Sequence, residues 1–221
     1  AAAHTGYYIG GIVGYIHTDD TFTATVSDNE NSGYVHIACT STTACTDLIV
    51  GGIIGKMAES GTVSDCNNIG GSDNAGAVSL TFSNAAHTDN YAGGIIGKAS
   101  GADLAISGCE NSGYGNGGNT TKQNGTTMYG GGIIASLDGA SSIDDCTNTG
   151  KLLNNHFNNS NAWNTSTFEG GIAGFVMGTD NTSRITISNV TNNYNSGATI
   201  TDGRRGYTGG AVGYAAYVDI S

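Results

Sequence analysis

Apolar residues in this chain gather in short runs rich in Ile and Val, each closed off by Gly, Asn or Asp. Runs of that kind read as β-strands, and none extends over the roughly 10–12 residues an amphipathic helix needs. Six runs open on a Gly-Gly pair: "GGIVGYI" from Gly10, "GGIIGKM" from Gly51, "GGIIGKA" from Gly93, "GGIIASL" from Gly131, "GGIAGFV" from Gly170 and "GGAVGYA" from Gly209. Neighbouring starts lie 41, 42, 38, 39 and 39 residues apart. A second segment follows each of the first five: "VSDNENSG" from Val26, "VSDCNNIG" from Val63, "ISGCENSG" from Ile106, "IDDCTNTG" from Ile143 and "ISNVTNNYNSG" from Ile187. A third, looser run lies between them ("YVHIA" at 34–38, "AVSLTF" at 77–82, "ATIT" at 198–201), and the fourth repeat replaces it with the Asn-rich "KLLNNHFNNSNAWNTSTF".

The period predicts an all-β fold, a parallel β-helix (β-solenoid) of five to six coils of ~40 residues with three short strands per coil, forming one repeat domain over 1–221. A six-bladed β-propeller is the alternative, but a blade needs four antiparallel strands and only three candidates stand in each unit. The residues after Gly-Gly (Ile12, Ile53, Ile95, Ile133, Ile172, Ala211) are the expected inward stack. Alternation leaves the face of the next residue open (Val13, Ile54, Ile96, Ile134, Ala173, Val212). The paired glycines are expected either to take a positive φ at a corner or to let coils approach closely. Asn31, Asn68, Asn111 and Asn148 share one repeat position, where each amide can bond its own copy one coil above.

"GGIIGKMAESGTVSDCNNIG" and "GGIIGKASGADLAISGCENSG" resemble the GLUG-type repeat, in which a Gly-Gly-apolar-apolar-Gly segment precedes an "I-x-x-C-x-N-x-G" segment. Five units carry the resemblance, with long insertions between them and with Asn29 and Val190 replacing the cysteine in the first and fifth. The resemblance implies a non-catalytic module in tandem arrays of bacterial surface and secreted proteins, adhesins among them. It implies no active site.

Charge narrows the partners. The net charge is −11 with seven Lys and Arg, against nucleic acid and against docking on an anionic membrane. No apolar run approaches the roughly 20 residues of a membrane-spanning helix, so no membrane insertion is expected. Charged residues make up 11% of the chain against about 25% in an average globular protein, there are 37 glycines, and proline is absent. Asn, Ser, Thr and Gly must therefore dress the surface, as on many extracellular and cell-surface β proteins.

Candidate chemistry is sparse. Cys66, Cys109 and Cys146 share a repeat position and are expected as a structural file of buried thiols rather than a metal strip, since no metal-ligand spacing accompanies them. Cys39 and Cys45 ("CTSTTAC") lie outside the repeat and are candidates for a disulfide in an oxidising compartment. Asp28, Asp65 and Asp145 share a position that Gly108 and Asn189 interrupt. They read as turn residues, with a surface calcium site and polysaccharide acid–base chemistry as the sharper alternatives. No cofactor is expected. Lys56 and Lys98 share a position expected to face solvent, and the five histidines share none. His156, Phe157 and Trp163, in the longest insertion, form a candidate contact loop for a glycan or a host protein. The chain opens nine residues before a Gly-Gly unit and stops partway through another, so self-association through uncapped solenoid ends into a filament is expected. The resulting expectation is a non-catalytic extracellular structural or adhesive module. The alternative is a polysaccharide-acting β-helix enzyme, lyase or hydrolase.

Overall fold

The computed structural model describes residues 4–17, 23–39, 45–58, 60–70, 76–82, 88–101, 103–113, 115–119, 127–153, 166–193 and 205–221. The chain winds as a parallel β-solenoid. In the first coil it forms β1 (His4–Gly10), turns at the Gly-Gly pair into β2 (Val13–His17), and continues through β3 (Ala24–Ser27), β4 (Glu30–Asn31) and β5 (Val35–Cys39). Each strand then pairs in parallel with its equivalent one repeat later, so every coil adds a rung to the same sheets.

The first sheet stacks β1 with Cys45–Gly51, Thr88–Gly93, Thr127–Gly131, Ser166–Gly170 and Arg205–Gly209. The second stacks β2 with Ile54–Ala58, Ile96–Ser100, Ile134–Asp138, Ala173–Met177 and Val212–Ala216, and the third stacks β3 with five further strands ending at Val218–Ile220. A fourth sheet has five two-residue strands, and a fifth has four strands, from β5 to Leu152–Leu153. The coil is thus cut into five strands rather than three. Two-residue strands at an Asn corner carry too little apolar pattern to register in the sequence. Parallel pairing throughout excludes the propeller, whose blades are antiparallel.

Main-chain pairing at the usual ~4.8 Å separation places equal repeat positions in continuous files. Ile53, Ile95, Ile133 and Ile172 form the expected inward stack, each fully buried, while Ile12 on the first rung is 47% exposed. The residues left open by alternation resolve inward as well: Ile54, Ile96, Ile134 and Ala173 join the same core. Both neighbours can face inward because the chain bends at Gly-Gly-Ile, which suspends the alternation of an extended strand. Val63, Ile106, Ile143 and Ile187 of the third sheet close this core from the other side. A second core, between the first and fifth sheets, gathers Leu48, Val50, Val78 and Leu80 with Cys39 and Cys45.

The glycine pairs serve close approach, since none of them has a positive φ. A Cβ on Gly94 would collide with the Gly132 carbonyl of the next coil and with the Asn111 amide. The two repeat signatures are thereby coupled: the glycine is small because the asparagine lies over it.

Candidate functional site

The asparagine file is a bonded ladder. Nδ2 of Asn31 donates to Oδ1 of Asn68 at 2.9 Å, Asn68 to Asn111 at 2.9 Å, and Asn111 to Asn148 at 2.8 Å. Asn148 then donates to Asn192 at 3.0 Å, a fifth rung obscured in the sequence by the insertion between it and Gly197 in "ISNVTNNYNSG". The same amides are tied to their own turns: Oδ1 of Asn148 accepts from the Gly150 amide at 3.1 Å while its Nδ2 also donates to the Gly150 carbonyl at 3.3 Å.

Cys66, Cys109 and Cys146 form the expected file, each fully buried and donating to the carbonyl two residues earlier at 3.2–3.3 Å. Hydrogen bonding to Cys109, followed by burial, drives the Cys66 thiol far above its ordinary range. Hydrogen bonding to Cys146, with burial, pushes Cys109 up to about 12. Cys146 is shifted downward by its hydrogen bond with Cys109. Cys39 and Cys45 are joined in a disulfide.

The acid file is a corner. Asp28, Asp65, Gly108, Asp145 and Asn189 all adopt left-handed backbone, with φ from 49° to 60°. Asp, Asn and Gly are the residues that tolerate this conformation best, which explains how Gly and Asn can replace Asp there. Next to this file, Asp144 accepts from the Ser188 hydroxyl at 2.7 Å and the Asn189 amide at 2.9 Å, and these bonds hold its carboxyl below the usual range. Arg184 pairs instead with Asp219 at 2.8 Å. Among the described residues no group of three or more His, Cys, Asp and Glu is disposed to hold a metal ion. The loop candidates His156, Phe157 and Trp163 lie outside the described residues, as does Arg204.

A site that the repeats do not announce lies on the outside of the solenoid, where the first and second sheets meet. Gly97 sits at the floor of this corner, and a Cβ there would press on Ile49 and on the Val50 carbonyl, each 2.7 Å away. From the first sheet Tyr8, Ile49, Tyr91, Tyr129, Phe168 and Tyr207 share one outward file. From the second sheet Tyr15, Lys56, Lys98, Ser136, Phe175 and Tyr214 share the facing one. Tyr91, Tyr129, Phe168 and Tyr207 stack in parallel with centroids 4.5, 5.1 and 5.0 Å apart. Phe175 and Tyr214 stack at 4.9 Å and meet the first file edge-on.

The lysines are not free in solvent, contrary to expectation. Lys56 lies over the Tyr8 ring at 4.7 Å, and Lys98 lies over Tyr91 at 4.5 Å while donating to its hydroxyl at 3.0 Å. A cation on a ring face contributes about 0.5–1 kcal/mol when exposed and more when desolvated. Burial, then the charges of Tyr129, Asp89, Asp47 and Asp138, drive the Tyr91 hydroxyl far above its ordinary range. Burial raises the Asp138 carboxyl, opposed by Lys98. The charges of Asp47, Asp89 and Asp138 thus reach Tyr91 from two sheets, and Lys98 acts on Asp138. The sequence carried a partial signal, since Asp47 and Asp89 each stand four residues before a Gly-Gly pair.

The chain matches no known protein family, no curated protein and no solved structure in the comparisons made.

Proposed function

We propose that the chain is a non-catalytic structural and adhesive module that works outside the cell. The carrying observation is the unbroken chain of side-chain amide bonds from Asn31 to Asn192, which ties successive coils together beside the main-chain ladders. Such a stack resists bending and shear, because any opening breaks several parallel rows of bonds together. The Cys39–Cys45 disulfide and the low-charge, Asn- and Ser-rich composition support an oxidising, extracellular setting. Pulling single molecules from end to end tests the load-bearing role: the solenoid should yield coil by coil at sustained force. A chain that extends at forces typical of unstructured polypeptide sinks the reading.

Self-association belongs to the same proposal, with rungs of a further copy stacked head to tail to extend the same sheets. A chain that sediments as a monomer over a wide concentration range, with no fibres by electron microscopy, removes that part. The second reading, a polysaccharide-acting enzyme, draws on Asp138, whose carboxyl is raised by burial and opposed by Lys98. It requires new chain ends in a polysaccharide incubated with the protein.

A further inference from the structure

Three thiols in the main core have no part in the load-bearing or adhesive role. Cys66, Cys109 and Cys146 are unpaired cysteines buried among Val63, Ile106 and Ile143. The residues on either side of them keep strict register from coil to coil. Ser64, Ser107 and Asp144 pair in one file, and Asn67, Glu110 and Thr147 pair in the next. Each Sγ donates to the carbonyl two residues earlier, at 3.2, 3.3 and 3.2 Å. Equal contacts from equal main-chain positions mean equal rotamers, so each sulfur repeats the one below it after one coil, ~4.8 Å away. The side chains stand roughly perpendicular to the sheet, which sets each Cβ–Sγ bond nearly at a right angle to the file.

That spacing is too long for one bond and fits two. A disulfide wants its Cβ atoms about 3.8 Å apart, so two coils would have to close by about 1 Å against main chain bonded on both sides. Two metal–thiolate bonds of about 2.3 Å, the length found for zinc, span about 4.6 Å when laid in line. We propose that Cys109, with either Cys66 or Cys146, forms a linear two-thiolate site for a soft dication of the Hg(II) type. Thiolate sulfur selects soft ions, and a bent bond at sulfur suits a metal placed on the file axis. A tetrahedral ion such as Zn(II) wants four ligands, and among the described residues no group of three or more His, Cys, Asp and Glu is disposed to hold one. Charge then selects within the soft ions. Two S–H bonds break, two S–Hg bonds form and two protons leave, with no electron transferred, so the bound unit is neutral. Cu(I) or Ag(I) between the same two thiolates would leave a net negative charge in an apolar core, which is costly without a partner. A second dication sharing Cys109 would leave a net positive one, so the site takes one ion per chain. Because the thiols are fully buried, the ion enters as the coils close during folding and then staples two neighbouring coils. The site is independent of the adhesive reading.

Refolding the full chain from urea, with its disulfide kept and one equivalent of mercuric chloride present, tests this. After dialysis against free cysteine, the folded chain should retain one mercury and show a thiolate-to-mercury absorption band. Its urea midpoint should exceed that of the chain refolded without metal. Each thiol is then replaced by Val, which stands at this repeat position in the fifth unit, where Val190 packs on the core. Cys109→Val leaves two thiols two coils apart, about 9.6 Å, too far for one ion to bridge. It should weaken retention at least about a hundredfold, the loss of a second tethered ligand. Cys66→Val and Cys146→Val each keep one adjacent pair and should retain mercury like the parent. Circular dichroism verifies each fold, and Cys109→Ala replaces Cys109→Val if the latter misfolds. A refolded parent without mercury overturns the site, as does a middle variant that retains as much as the parent. Equal loss in all three variants also overturns it, because the ion would then need every thiol. Silver retained as firmly as mercury overturns the assignment to a dication.

Discussion

Asn111 lies directly over Gly94, a residue 17 positions earlier in the chain, so closely that no Cβ could stand between them. The same coupling joins Gly11 to Asn31, Gly52 to Asn68, Gly132 to Asn148 and Gly171 to Asn192, so the second glycine of the first five pairs is the seat of one ladder rung. Gly94→Ala should therefore destabilise the chain by about 3 kcal/mol or more, since the clash involves a backbone carbonyl that cannot move alone. Gly210 has nothing within 4 Å of its Cβ position, and Gly210→Ala should be nearly neutral. Equal effects of the two substitutions on denaturant midpoints would refute the coupling.

Removing a rung tests the ladder itself. Asn111 donates to Asn148, accepts from Asn68 and accepts from the Gly113 amide at 3.2 Å, all of it buried. Asn111→Ala strands a donor on one side and an acceptor on the other, and should cost about 3 kcal/mol. Asn31 has a ladder neighbour on one side only, and Asn31→Ala should cost about 1 kcal/mol. Urea titration followed by circular dichroism gives the comparison, and the order of the two variants is the discriminating result.

The corner file makes a different demand. Asp145 has φ 49°, where a Cβ is costly unless the side chain is Asn or Asp. Asp145→Ala should lose about 1 kcal/mol, whereas Asp145→Gly and Asp145→Asn should stay within about 0.5 kcal/mol of the parent. If Asn and Gly were as damaging as Ala, the carboxylate itself would be required and the conformational account would fail.

How much of this was legible depended on whether a feature repeats. The Gly-Gly pairs recur every 38–42 residues and each ladder asparagine stands five residues after the apolar residue opening its segment, as Asn68 follows Val63, so the winding, the inward isoleucines and most of the ladder could be read from spacing. Asn192 keeps the same offset from Ile187 and pairs in register with Asn148; it escaped because three residues inserted after it displace the closing Gly197. The aromatic corner escaped for another reason. The tyrosine file and the lysine file belong to different strands of each coil, so they meet only once two sheets fold against each other. Lys56 and Lys98 looked like solvated residues because spacing reports which residues share a file, not that a tyrosine file stands opposite.

The buried thiols predict a clean chemical count. Cys66, Cys109 and Cys146 are fully buried, and Cys39 and Cys45 are paired. A thiol reagent should find none in the native chain, three after unfolding, and five after unfolding with prior reduction. The pH dependence follows in sign. Cys109 is raised from 9.0 to about 12, so the folded chain holds a proton that the unfolded chain releases first. That contribution to stability is complete below pH 9.0 and is lost as pH rises toward about 12. Rapid labelling of native protein at pH 8 would contradict both the burial and the shift.

Asp138 extends the same reasoning to a carboxylate. Its carboxyl is raised by burial, so the folded state prefers the proton more than the unfolded state does. The sign is then fixed: stability is greatest below the unfolded carboxylate range and falls as pH rises through the folded value. The parent chain bears this penalty wherever the carboxylate is ionised, since Asp138 is half-buried and without a hydrogen-bond partner among the described residues. Asp138→Asn removes the charge and keeps the shape, so its denaturation midpoint should exceed the parent's at pH 7 and converge with it in acid. If Asp138→Asn is less stable than the parent at pH 7, the carboxylate is structural and the burial account fails.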